Sequence, residues 1–208
     1  MSTVRDYCAV SDDARDITAF LYEIGQLKRY PRTGWLTAGV PSPESVADHS
    51  YRASVIAAAI AAMEGADPQR AAFLAIWHDS QETRTTDLSH LTKKYVTTTP
   101  NETVTSAQVR HLPAALADVI RGAVAEYEAR ATHEARCARD ADKIELLMQA
   151  REYADHGHPG LRPFMDSALA ALQTTAARAL AAEAIEQGSL DWVTRAMKDD
   201  VPEGGSQP

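Results

Sequence analysis

At 208 residues, 45% of them hydrophobic and 24% charged, the chain has the length and composition of one soluble globular domain with a single sizeable core. A net charge of −8 with no run of Lys or Arg argues against nucleic acid as a partner, since binding its backbone needs a basic face, but leaves room for a small anion held through a cation. Cys8 and Cys137 make neither a disulfide framework nor a cysteine zinc site. The opening MSTVRDYCAV lacks the apolar stretch of a signal peptide, and the longest apolar run, 54–63, is too short to span a bilayer. A cytoplasmic protein with no membrane partner is the expectation.

The apolar spacing is helical almost throughout. Ile17, Phe20, Leu21, Ile24 and Leu27 recur at steps of three and four, with Ser11 able to cap the start. RYPRTGWLTAGVPSPES follows, its prolines and glycines marking a loop. Ser45 caps a second helix running to about Met63, with Val46, Ala53, Ile56 and Ile60 on one stripe. GADP closes it and opens a third that runs to about Thr83, Asp67 capping and Pro68 fitting the first turn. VTTTPNETVTS (96–106) is β-branched but interrupted by Pro100 and Asn101, and reads as a long loop. Helices resume over roughly 113–130 and 133–156, HGHPG makes a turn, and two or three more follow within 162–198. The fold class is all-α, a bundle of about six to eight helices in one domain, 1–199, with a polar tail, 200–208, expected to be disordered.

Several polar residues interrupt this apolar pattern. His49 falls on the stripe of Val46, Ala53, Ile56 and Ile60, where a histidine must find a partner. Taken alone, a hydrogen-bonded core histidine is its better reading. His78 closes the stripe of Ala71, Leu74 and Ala75, with Asp79 about 100° further round the helix. Neighbouring helical side chains do not face each other, but both can reach one cation placed between them. Asp142 shares its helix with buried-type residues Ile144, Leu147 and Met148, and sits with Glu145 and Gln149 on a neighbouring face; periodicity does not choose it over Asp140. Two histidines and two aspartates from three helices make an N₂O₂ set, suited to Mn²⁺, Co²⁺, Fe²⁺ or Zn²⁺ rather than Ca²⁺.

The stretches LKRYPRTGWLTAGVPSPESVADHSYR, HDSQETRTTDLSH and RDADKIELLMQAREY closely resemble the 5′-deoxynucleotidase branch of the HD-domain phosphohydrolases, over roughly residues 13–175. The resemblance implies an HD-domain bundle that hydrolyses deoxynucleoside 5′-monophosphates with a divalent metal, Mg²⁺ being also admissible. It implies His49, His78, Asp79 and Asp142 as metal ligands, and it is the motif that selects Asp142 over Asp140. It implies Glu82 as the acid–base group, Asp87 as a catalytic or sugar-binding aspartate, or a contact to a second metal. Arg32 and Trp35 are implied as substrate-side residues, Lys93 lends charge, and a homodimer is expected by analogy. One departure is visible: the family usually has glycine where this chain has Thr86, and a positive φ there would strain a threonine. Other readings keep the same metal site: a nucleotide triphosphohydrolase, a cyclic-nucleotide phosphodiesterase, or a phosphatase for a specialised nucleotide. A two-iron oxygenase needs further histidines, for which His90, His111 and His133 are the candidates, and a non-catalytic metal-binding helical module is the reading outside enzymes.

Overall fold

The structure, a computed structural model, describes residues 12–199. The Ser11 cap, Cys8 and the tail from residue 200 lie outside the described residues. Among those described the elements run α1 (Asp12–Ile24), α2 (Thr33–Thr37), α3 (Val46–Glu64), α4 (Pro68–Trp77), α5 (Glu82–Thr85), α6 (Asn101–Gln108), α7 (Ala114–Ala129), α8 (His133–Asp155), α9 (Arg162–Ala171), α10 (Thr175–Glu186) and α11 (Asp191–Ala196), with 3₁₀ turns at Gly25–Lys28 and Thr92–Lys94. The excess over the six to eight helices expected comes from the short α2, α5 and α11. No strand forms among the described residues, whose β pairing is an isolated antiparallel bridge between Pro31 and Ser45. No helix among them is long and apolar enough to cross a membrane.

The caps follow local chemistry. The Ser45 side chain accepts from the Asp48 amide while Asp48 returns the bond to the Ser45 amide, a complete capping box on α3. Asp67 accepts from the amides of Gln69 and Arg70, with Pro68 in the first turn of α4. Gly157, at φ 90°, turns the chain out of α8.

Two elements differ from the sequence reading. The third helix stops at Trp77 instead of continuing to Thr83. The Ser80 hydroxyl donates to the Trp77 carbonyl at 2.9 Å, and the His78 ring nitrogen Nδ1 lies 2.6 Å from the Ala75 carbonyl, so side chains satisfy the carbonyls that a longer helix would use. The segment 96–106, read as loop, contains the start of α6. Pro100 precedes it in an extended conformation, and Val104, Thr105 and Gln108 are buried. Packing of that face overrides the weak helix propensity of Thr and Val.

Helices α3, α4 and α8 form the centre. Ala53, Ala57 and Ala61 on α3, Ala71 and Ala75 on α4, and Ala135, Ala138 and Ala141 on α8 are buried. These small residues let the backbones approach closely, and Ile60, Leu74, Ile144 and Leu147 fill the layer between them. A second cluster joins Phe20 of α1 to Val109, Leu112 and Ile120. A third packs Trp35 with Val40, Ala150 and Leu161.

Asp140, buried on α8, accepts from the amides of Gln173 and Thr174 and from the Thr174 hydroxyl, tying the start of α10 to α8. Asp140→Ala leaves these donors unsatisfied and lowers the unfolding free energy by roughly 2–4 kcal/mol. Urea unfolding measures the drop, and the folded fraction keeps its turnover rate.

Candidate metal centre and cavity

Helix α4 ends at Trp77, and the backbone continues in tighter turns, with the Ser80 amide donating to the Trp77 carbonyl and the Glu82 amide to the Asp79 carbonyl. His78 occupies the C-cap of α4 with right-handed helical backbone angles, and its Nε2 lies 3.1 Å from Asp79 Oδ2. His49, wholly buried on α3, brings its Nε2 to 3.2 Å from His78 Nε2, 3.3 Å from Asp142 Oδ1 and 3.7 Å from Asp79 Oδ2. Donor atoms of His49, His78 and Asp79 all lie within 4.8 Å of one another, a group that can hold a metal ion. Asp142 joins this group from the His49 side. Asp140, two residues earlier, faces the other way and is occupied with α10.

The second nitrogen of each ring is held. His78 Nδ1 faces the Ala75 carbonyl, and His49 Nδ1 bonds the buried carboxylate of Glu145. Each Nε2 is thereby turned toward the shared centre, the arrangement that presents an imidazole lone pair to a cation. Arg52 donates to Glu145 from Nε at 3.0 Å and from Nη2 at 2.8 Å, and also reaches Gln149 and Glu152. Neither Glu145 nor Arg52 was singled out as a site residue from the sequence. Their spacing gives a signal nonetheless: Glu145 lies three residues after Asp142, and Arg52 three after His49, on the same helix faces. Glu145→Gln weakens divalent-metal affinity by about 10–100-fold, with calorimetric titration of the metal-free protein as the measurement.

The electrostatics match this donor set. Burial raises the Asp79 carboxyl, but His78, Arg32 and His49 outweigh it and hold the group well below the usual carboxylate range. Asp142 is likewise pushed up by burial and held down overall by Lys143, His49 and His78. For His49, burial and Arg32 oppose protonation, yet Glu145 and Asp142 lift it to about 10. A cluster that pulls a proton onto a fully buried imidazole is short of positive charge, and a divalent cation at the same Nε2 supplies it. By donor chemistry the residues fit a divalent transition metal.

Glu82, at the start of α5, is buried beside this group and lines a cavity together with His78, Asp79, Thr86, Lys93 and Asn101. Burial, then the charges of Asp79 and Asp87, push its carboxyl up to about 9. Arg32 donates to Asp79 at 3.0 Å and lies 3.9 Å from Asp87. Burial lowers its affinity for a proton, and Asp79, Asp142 and Asp87 more than restore it. Asp87 is fixed by Thr33, whose amide and hydroxyl both donate to it. Lys93 reaches the cavity from the 3₁₀ turn after the loop. Trp35 is only 1% exposed, packs against Tyr153 and Phe164, donates its indole N–H to Glu44 at 2.9 Å, and is not among the residues lining this cavity. The further histidines are elsewhere: His133 pairs with Glu64, His111 accepts from Arg110, and His90 is exposed. Thr86 takes φ 60° and ψ 163°, a conformation that costs a non-glycine residue of order 1–3 kcal/mol.

A family model described as the HD domain matches residues 24–183. The 5′-deoxynucleotidase HDDC2 of Homo sapiens is 34% identical over 172 residues, covering 80% of this chain and 83% of the human protein. The 5′-deoxynucleotidase hdd1 of Schizosaccharomyces pombe is 33% identical over 147 residues, covering 66% of this chain and 72% of its own length. Among solved structures, a conserved hypothetical protein from Pyrococcus furiosus superposes with a TM-score of 0.66 at 30% identity, covering 82% of this chain and 99% of that one.

Proposed function

We infer the function from one premise: the chain belongs to the HD-domain family, and within it the chain is a metal-dependent phosphomonoester hydrolase acting as a 5′-deoxynucleotidase. The observation that carries this reading is the convergence of His49, His78, Asp79 and Asp142 on one point, with His78 and Asp79 lining the same cavity as the Glu82 carboxyl. His49, His78, Asp79 and Asp142 would hold the ion. When bound, the ion supplies Lewis acidity toward the phosphoryl oxygens and lowers the pKa of water.

The chain's own residues do the rest. Hydrolysis adds water to phosphorus, breaks the bond from phosphorus to the 5′ oxygen, and moves one proton to the leaving alkoxide. Glu82 faces the cavity with one carboxyl oxygen lacking a partner among the described residues, so it can orient the water, take its proton, or return one to the leaving oxygen. Arg32 sits where a guanidinium can pair with phosphoryl oxygens once released from Asp79. Asp87, held by Thr33, presents a fixed carboxylate to a sugar hydroxyl, and Lys93 adds positive charge at the rim. The packing of Trp35 supports a positioning role, through Glu44, in place of a direct wall on the sugar.

The donor set supports Mn²⁺, Co²⁺, Fe²⁺ or Zn²⁺ as the ion. A homodimer and a cytoplasmic setting complete the proposal and rest on analogy and composition. The test is phosphate release from deoxy- and ribonucleoside mono-, di- and triphosphates with added Mn²⁺ or Co²⁺. Free phosphate from the deoxynucleoside monophosphates is the expected product, whereas release of triphosphate assigns the chain to triphosphohydrolysis.

A further inference from the structure

Thr86 and Arg130 are the non-glycine residues with positive φ among those described. Arg130 sits in the ordinary left-handed region at the end of α7. Thr86, at φ 60° and ψ 163°, occupies a region that is essentially glycine's, and it is β-branched. No hydrogen bond among the described residues rewards a threonine side chain there. Its amide donates to the Glu82 carbonyl at 2.9 Å, and its carbonyl accepts from the Thr85 hydroxyl at 3.5 Å, both backbone groups that any residue brings. Its own hydroxyl has no hydrogen-bond partner among the described residues, and the residue is exposed, so packing does not hold it. Thr86 lines the cavity beside Glu82. The same cavity is lined by Gln81, only 1% exposed, whose Oε1 is buried without a partner among the described residues, as is Oε2 of Glu82. Buried polar atoms without partners are costly unless a ligand completes them.

We propose that Thr86 is a specificity-determining residue whose side chain contacts the nucleoside half of the substrate, beside the free amide oxygen of Gln81. The proposal rests on the nucleotide reading of the site. The phosphoryl group carries the charge and belongs with Arg32 and the ligand cluster. An uncharged hydroxyl and methyl suit the sugar and base that extend from it, and the rigid turn between Glu82 and Asp87 fixes where they meet the ligand.

The experiment measures kcat/KM for the deoxy- and ribonucleoside 5′-monophosphates of all common bases, with saturating Mn²⁺, in the parent protein and in Thr86→Gly, Thr86→Ser and Thr86→Val. Thr86→Gly raises the denaturant midpoint, because the turn is relieved, and changes the ratio between best and worst nucleotide by about tenfold or more, the order that one methyl or hydroxyl contact supplies. A ratio altered in Thr86→Val but kept in Thr86→Ser assigns the contact to the hydroxyl; the reverse assigns it to the methyl. If all three variants change every nucleotide by the same factor, the proposal fails and Thr86 acts on the turn alone. A parent protein that hydrolyses no nucleotide overturns the underlying reading itself, which separates that failure from this one.

Discussion

Glu82→Gln is expected to lower kcat about 10²–10⁴-fold, the usual worth of a positioned acid–base group, while bound metal, measured by elemental analysis, stays at the parent level. The substitution is nearly isosteric and removes only the ability to exchange a proton. Its effect on stability has the opposite sign. Burial and the charges of Asp79 and Asp87 raise the Glu82 carboxyl from 4.5 to about 9 in the folded, metal-free chain. A group whose folded pKa is raised stabilises the fold below its unfolded pKa and loses that contribution as pH climbs through the folded one. Metal-free parent protein therefore weakens between about pH 4.5 and 9 in a way that the glutamine variant does not. Urea midpoints across that range read the difference. A variant that keeps both its metal and its full rate removes Glu82 from the chemistry.

Removal of the metal is expected to have an effect of similar size on turnover. The ion contributes several kcal/mol of charge stabilisation to phosphoryl transfer, so stripping with a chelator lowers phosphate release by roughly a thousandfold or more, at 1.36 kcal/mol per factor of ten. Restoring Mn²⁺ or Co²⁺ returns it. His78→Ala makes the loss permanent, since it removes one of the two imidazole nitrogens of the proposed site. Stability moves in parallel, because the ion binds only the folded site: at a free concentration 100-fold above its dissociation constant it adds about 2.7 kcal/mol, visible as a midpoint that rises with metal in the parent and not in His78→Ala. Activity that survives complete stripping would overturn the metal assignment.

How far the site was legible in the sequence depends on the residue. His49 showed itself because it interrupts an apolar stripe. The His78–Asp79 pair showed itself as a pair, but its geometry depends on α4 stopping at Trp77, and that stop is set by the Ser80 and His78 side chains taking helix carbonyls. Asp140 and Asp142 could not be ranked by pattern, because both sit on one helix and the difference lies in what faces them: the start of α10 for one, His49 for the other. Helix α6 was hidden by β-branched residues whose helix propensity is poor and whose burial decides the matter. Glu145 was hidden for a related reason, since an acid on a mixed helix face gives no sign that an arginine from another helix neutralises it.

The two aspartates of α8 also bear on what can be inherited or transplanted as a unit. Two residues apart, they face opposite ways: Asp142 points at His49 in the proposed metal site while Asp140 is anchored in the α10 entry. A chain cut after Leu172 keeps every proposed metal ligand and every residue of the cavity wall, yet leaves Asp140 buried without its donors and uncovers the face of α8 against which α10 packs. Helix α10 carries no proposed ligand of its own, and still it packs on the helix that supplies Asp142.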